Sequence, residues 1–166
     1  MKSVLVFGAG LVAGPLVRYL LDHDYRVTVA SRTLSKARSL VARDPNGDAV
    51  QFDITQEQPR LDRLIAQADL AVSLLPYIYH VNVAKACIKH KRPLVTTSYV
   101  SDEMQALDQD ARESGVILLN EIGLDPGIDH MSAMRVIDRV HEANGKIKAF
   151  RSFCGGLPAP DANDNP

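Results

Sequence analysis

The chain has 166 residues, 46% of them hydrophobic, and its 19 basic and 20 acidic residues leave a formal net charge of −1. This composition excludes a disordered chain and suits one domain with a buried core. Balanced charge excludes a dedicated nucleic-acid binder and a polybasic membrane module, and the longest uncharged stretch, 3–17, is too short to span a bilayer.

A strand-like run begins almost at the first residue, which leaves no room for a signal peptide. Residues 4–7, Val-Leu-Val-Phe, form a continuous apolar run of the kind a buried parallel strand requires. Apolar residues then recur at helical spacing over 11–21. A β-branched segment at 26–30 predicts the second strand and 34–42 the second helix. A short strand at 49–52, a helix at 61–68 and a strand at 70–75 stopped by Pro76 follow. Residues 80–91 predict a helix and 93–97 a fifth strand. The segment 101–114 reads as one helix, with Ser101 as N-cap, acids in its first turn and Gly115 past its end. A sixth strand at 116–119 precedes a helix at 129–143, which sets Met131, Met134, Ile137 and Val140 on one side and stops at Asn144-Gly145. Residues 146–153 read as a further strand with no helix after it.

Regular alternation of strand and helix demands right-handed crossovers, so the expected fold class is α/β: a doubly wound parallel sheet of the Rossmann type with helices on both faces. The expected domains are 1–144, a dinucleotide-binding domain, and 145–166, the start of a second α+β domain whose remainder is absent.

Gly8-Ala9-Gly10-Leu11-Val12-Ala13 fits G-x-G-x-x-A and sits between the first strand and the first helix, the context this motif needs. Gly8 permits the turn, Gly10 lets a pyrophosphate approach the backbone, and Ala13 allows close packing of helix on strand. The helix N-terminus adds free N–H groups and a positive dipole end. At the end of the second strand stand Ser31, Arg32 and Thr33, where an NAD-binding unit places an acid. An Arg there pairs with a 2′-phosphate, so NADP(H) is favoured over NAD(H). The plainer reading makes Thr33 a helix cap and Arg32 a solvated side chain. Asp53 is read equally as an adenosine contact and as a turn residue with Thr55.

The C-terminal ends of later strands carry Leu75, the run Thr97-Ser98-Tyr99 and the run Leu124-Asp125-Pro126-Gly127. Ligands bind on this side of such sheets. Tyr99 and Asp125 are the titratable groups there, suited to holding an ammonium or relaying a proton. Each has a structural reading beside the chemical one: a half-buried packing residue for Tyr99, a turn or cap residue for Asp125. His80 reads as capping or packing at the start of its helix. Cys154 precedes Gly155-Gly156 and is a lesser candidate, since a lone Cys is more often inert. Cys87 and Cys154 lack zinc spacing, and the pair is read as reduced thiols of a cytoplasmic protein. The five His residues show no ligand spacing with a third partner, so no metal site is expected.

The run Asn120-Glu121-Ile122-Gly123-Leu124-Asp125-Pro126-Gly127-Ile128-Asp129-His130-Met131 strongly resembles saccharopine reductases, the glutamate-forming saccharopine dehydrogenases. So do Ser73-Leu74-Leu75-Pro76-Tyr77, Ala86-Cys87-Ile88, Thr97-Ser98-Tyr99-Val100 and 153–160. The resemblance implies the cofactor-binding part of a two-domain, homodimeric oxidoreductase of lysine metabolism. Such enzymes join aminoadipate semialdehyde and L-glutamate as an imine and reduce it to saccharopine, or run the reverse. It implies cofactor contacts at Gly10, Leu11, Val12, Ala13, Ser31, Arg32, Thr33, Asp53, Ile54, Leu75, Thr97, Ser98, Leu124, Asp125 and Pro126. Substrate contacts are implied at Ser98, Tyr99 and Asp125. For proton handling or imine orientation the candidates are Asp125 and Tyr99, with Cys154 after them. Family members continue past the last residue here, so this chain alone is expected to bind cofactor without turning over saccharopine. The alternatives are an NAD-dependent, lysine-degrading member, a carboxynorspermidine-type reductase, and a non-catalytic dinucleotide-binding module.

Overall fold

A computed structural model describes residues 1–153 and 155. Its elements run β1 (Ser3–Phe7), α1 (Ala13–Asp22), β2 (Arg26–Ser31), α2 (Leu34–Val41), β3 (Gly47–Gln51), α3 (Gln58–Ala66) and β4 (Leu70–Ser73). A 3₁₀ turn (Tyr77–Tyr79) leads to α4 (His80–Lys89), β5 (Leu94–Thr96), α5 (Asp102–Gln105), α6 (Asp108–Ser114), β6 (Leu118–Leu119) and α7 (Ile128–Glu142). The strands lie in the order β3-β2-β1-β4-β5-β6, and every pairing is parallel. This is the doubly wound sheet that the alternating pattern requires. The chain winds outward from β1 to β3, then returns to place β4 on the other side of β1. The crevice for a ligand opens at that reversal.

Side-chain alternation along β1 divides the core between the two faces. Val4 and Val6 join a cluster with Val17, Leu20 and Leu21 of α1 and Ala37 and Val41 of α2. Leu5 and Phe7 point the other way, into a cluster with Leu61 and Ile65 of α3 and Val83, Ala84 and Cys87 of α4. A central strand buried on both faces explains why 4–7 is apolar without alternation. Phe7 is fully buried and meets Phe52 with ring centroids 5.5 Å apart; burying one such side chain stabilises by roughly 1.5–3 kcal/mol. Cys87 is a free, buried thiol whose burial pushes its pKa up to about 12, so it is not a nucleophile in the folded chain.

Several expectations need correction. The single helix expected at 101–114 is two. Ser101 caps α5 as expected, its side chain accepting from the Met104 N–H at 3.2 Å. The helix then tightens: Leu107 N–H reaches Met104 O instead of continuing the i−4 ladder. That turn buries Met104, Leu107 and Ala111 together. β6 is only two residues long, and β3 begins at Gly47 rather than at 49. The strand expected at 146–153 does not form: its residues are exposed and carry no ladder bonds. A strand needs a partner, and none lies beside this segment among the described residues.

The chain divides into two compact units, 1–122 and 123–166. The division falls ahead of the expected boundary at 144/145, because helix α7 and the turn before it belong to the second unit. Within that unit the turn closes on itself: Gly123 N–H donates to Pro126 O at 2.9 Å and Ile128 N–H to Gly123 O at 2.9 Å. Gly127 has φ +145°, and a Cβ there would lie 2.2 Å from Gly123 O, so only glycine fits. Helix α7 buries no residue; Met131 and Met134, expected on one side of it, are both about half exposed.

Candidate dinucleotide site

The loop after β1 is built around a close approach of backbones. Gly8 N–H donates to Ala30 O of β2 at 2.9 Å, and Leu74 N–H donates to Phe7 O at 2.8 Å. Gly8 has φ +105°, and a Cβ there would meet Leu74 O at 3.0 Å. Both the dihedral and the lack of space call for glycine. Gly10 differs: a Cβ there would meet nothing within 4 Å. The space above Gly10 is free of protein, as an approaching phosphate requires. Ala13 is fully buried at the start of α1. Helix α1 has no side-chain cap and no acid in its first turn, which leaves its positive dipole end without a compensating charge.

A cavity of about 330 Å³ opens beside this loop. Of the predicted cofactor residues, Gly8, Gly10, Ser31, Arg32, Thr33, Asp53, Ile54 and Leu75 line it. Leu11 and Val12 are exposed at the loop crest and do not line it. A larger depression of about 530 Å³ lies at the opposite ends of the strands, around Ser3, Arg26 and Asp48, and holds none of the motif residues.

The cavity wall at the end of β2 carries two cations, Arg32 and Lys36. The Lys36 contribution escaped sequence reasoning, although a signal was present. Lys36 stands in the first turn of α2, where a cation opposes the helix dipole unless an anion binds there. Thr33 occupies the N-cap position of α2, but its hydroxyl makes no capping bond. Asp53 accepts from the Thr55 N–H at 3.0 Å and its hydroxyl at 2.7 Å. These bonds, and to a smaller extent Arg32, hold its carboxyl below the ordinary range. The carboxylate thus locks a turn while lining the cavity.

Past β5, Ser98 is clamped from two sides. Its carbonyl accepts from Glu121 N–H at 3.2 Å, and its Oγ lies 2.9 Å from His80 Nε2. The Glu121 carboxylate accepts from Val100 N–H at 3.1 Å, Ile122 N–H donates to Thr96 O, and the Thr96 hydroxyl bonds the Asn120 side chain at 3.0 Å. The segment 120–122 therefore ties down the loop that carries Ser98. Sequence reasoning treated His80 as a cap or packing residue; it is buried and bonds two serines. Thr97 is half-buried and Tyr99 exposed in this loop. In the second unit, Leu124 and Asp125 are exposed and Pro126 is buried. The turn bond there is made by Asp129, which accepts from Gly127 N–H at 2.9 Å. Cys154 lies outside the described residues.

The cradle around Gly10, the uncapped helix and the paired cations fit a phosphorylated dinucleotide. Comparison with known proteins decides the family. Residues 4–119 match the saccharopine dehydrogenase NADP binding domain, and 123–166 match the saccharopine dehydrogenase C-terminal domain. The chain belongs to the saccharopine dehydrogenase family. It is 48% identical over 99% of its length to the saccharopine dehydrogenase [NADP(+), L-glutamate-forming] of Pyricularia oryzae, covering 36% of that protein. It is 40% identical over 99% of its length to the mitochondrial alpha-aminoadipic semialdehyde synthase of Bos taurus, covering 18% of it. The apo structure of the L-Glu-forming saccharopine dehydrogenase from Saccharomyces cerevisiae superposes with a TM-score of 0.85 at 45% identity, over 100% of this chain and 37% of that one. The chain thus spans little more than a third of the glutamate-forming dehydrogenases it matches. Within it, residues 4–119 are an NADP-binding domain of the saccharopine dehydrogenase type.

Proposed function

We propose that this chain is the cofactor-binding portion of an NADP(H)-dependent saccharopine dehydrogenase. The whole enzyme would reduce the imine of aminoadipate semialdehyde and L-glutamate to saccharopine, or run the reverse. The observation that carries this reading is the cation pair Arg32 and Lys36 at the end of β2, in a chain 48% identical to an NADP(+)-dependent, glutamate-forming enzyme. The bound cofactor supplies hydride chemistry at the nicotinamide. The chain's own residues bind and orient. The N–H groups of α1 and the open space over Gly10 receive the pyrophosphate. Arg32 and Lys36 hold the 2′-phosphate, and Ser31 and Thr33 stand beside them. Leu75 borders the path toward the reacting end. Ser98 and Tyr99 are assigned to substrate contact, and Tyr99 to proton handling; for Asp125 the same two roles are assigned from its motif alone. That assignment rests on the family resemblance, as does a homodimer of the longer protein. A cytoplasmic location belongs to the same proposal.

The family resemblance leaves a second reading, a lysine-degrading enzyme that uses NAD, and the chain is also 40% identical to the alpha-aminoadipic semialdehyde synthase of Bos taurus. Calorimetric titration of the chain with NADPH and with NADH separates the two. Tight NADPH and weak NADH binding is expected; a preference for NADH would overturn the cofactor assignment. The substrate assignment is tested by NADP-dependent oxidation of saccharopine by the longer protein with its C-terminal domain complete. Absence of turnover there would overturn it.

A further inference from the structure

His80 opens α4 but points inward: it is 3% exposed, and both ring nitrogens are engaged. Nδ1 lies 2.8 Å from Ser73 Oγ at the end of β4, and Nε2 lies 2.9 Å from Ser98 Oγ past β5. A neutral imidazole has one donor and one acceptor, so these two bonds run in a single direction. Burial favours the neutral ring by pushing the His80 pKa down.

The direction follows from counting protons. Ser73 is fully buried, and among the described residues its hydroxyl has no other bonding partner than His80. Were Nδ1–H to donate to Ser73, the Ser73 proton would be buried without an acceptor, a costly arrangement. With Ser73 donating to Nδ1, the ring proton sits on Nε2 and donates to Ser98 Oγ. The Ser98 hydroxyl proton is then the one not consumed inside the network. Because the Ser98 carbonyl is held by Glu121, this proton is presented from a fixed backbone.

We propose that Ser73, His80 and Ser98 form a directional hydrogen-bond relay that fixes Ser98 as a donor to the carboxamide oxygen of the bound nicotinamide, with His80 as its positioning residue. This rests on the NADP(H) reading above. The sheet order sets the adenosine end at β2, beside Arg32 and Lys36. Ser98 lies three interstrand spacings away across β1 and β4, about 14 Å, where the far end of a dinucleotide laid over the crevice arrives. An oxygen acceptor meets a serine held as donor better than one free to rotate, because the hydroxyl no longer spends orientational freedom on binding.

The test uses the 166-residue chain with two probes, NADPH and 2′,5′-ADP, which carries the 2′-phosphate end without the nicotinamide. His80→Phe keeps a ring without a donor, and Ser98→Ala removes the presented hydroxyl. Each is expected to weaken NADPH by roughly three- to tenfold, to leave 2′,5′-ADP within about twofold, and to weaken NADPH no further when combined. His80→Gln, whose amide offers one acceptor toward Ser73 and one donor toward Ser98, is expected to restore NADPH affinity to within about twofold of wild type. Long-range proton–nitrogen NMR of the ¹⁵N-histidine-labelled chain, with the His80 signals identified by their loss in His80→Gln, is expected to show a neutral Nε2–H ring at pH 7.5. An Nδ1–H or doubly protonated ring would overturn the relay. So would unchanged NADPH affinity in the folded Phe and Ala variants, or equal losses for both probes. Failure of the wild-type chain to bind either probe would instead overturn the NADP(H) reading on which the relay rests.

Discussion

Gly10→Ala separates binding from folding in the glycine loop. Gly10 lies outside the left-handed backbone region, and a Cβ built on it meets no protein atom within 4 Å. The alanine chain should therefore fold as well as wild type. By narrowing the unfolded ensemble it should gain about 0.4–1 kcal/mol, which raises the unfolding midpoint by at most a few degrees for a chain of this size. The added methyl projects into the space that the pyrophosphate is proposed to occupy. Pushing the phosphate off a single charge-assisted bond to the α1 amides costs about 1.5–3 kcal/mol, so the NADPH dissociation constant should rise roughly ten- to a hundredfold. Thermal unfolding without ligand and calorimetric titration with NADPH, run on one preparation, read both effects. Wild-type affinity in the folded variant would refute the pyrophosphate cradle. A fall of several degrees in the ligand-free midpoint would show that Gly10 serves packing after all.

Gly8→Ala should behave in the opposite way: a φ of +105° and the Leu74 carbonyl 3.0 Å from the new Cβ predict a loss of about 1–3 kcal/mol from backbone strain alone, and an unchanged urea midpoint would contradict it. Arg32→Ala should weaken NADPH by about 1.5–3 kcal/mol, the range for a hydrogen bond to a charged group, while NADH binding stays the same; parallel titrations decide, and equal losses would reject contact with the 2′-phosphate. The buried, neutral His80 predicts a pH effect on stability. Its folded pKa lies below the ordinary 6.5, so as pH falls below 6.5 the unfolded chain takes up a proton that the folded chain refuses. Stability should drop by at most about 1.4 kcal/mol per pH unit over that window, and His80→Gln should remove this slope; identical urea midpoints for the two chains at pH 7.5 and 5.5, each referred to its own pH 7.5 value, would refute the argument.

The half of the site nearest the N-terminus was legible because it is local in sequence. β1, the glycine loop, α1 and the end of β2 all lie within 3–36, and each residue type carries its own reason. Gly8 answers a dihedral, Gly10 an open space, and Arg32 a missing acid. Lys36 was overlooked because a lysine on the solvent side of a short helix reads as solvated; only its place in the first turn of α2, over the same cavity as Arg32, makes it unusual. The break between α5 and α6 was hidden for a related reason. Met104, Leu107 and Ala111 suit a continuous helix as well as a tightened one, and the choice is made by what they pack against.

The other half was not legible, and the reason is topological. Ser73, His80, Ser98 and Glu121 stand far apart in sequence, and each alone is an ordinary polar residue at the end of a strand or the start of a helix. Parallel crossovers return β4, β5 and β6 side by side, so the residues just beyond these strands meet at one edge of the sheet. A buried histidine joins Ser73 to Ser98, and the Glu121 backbone N–H holds the Ser98 carbonyl. Resemblance to a family pointed to Ser98 but was silent on His80, since a motif marks what faces a ligand more readily than what aims it. The same logic accounts for 146–153. Its composition suits a strand, yet strands are made by neighbours, and local sequence carries no record of the neighbour.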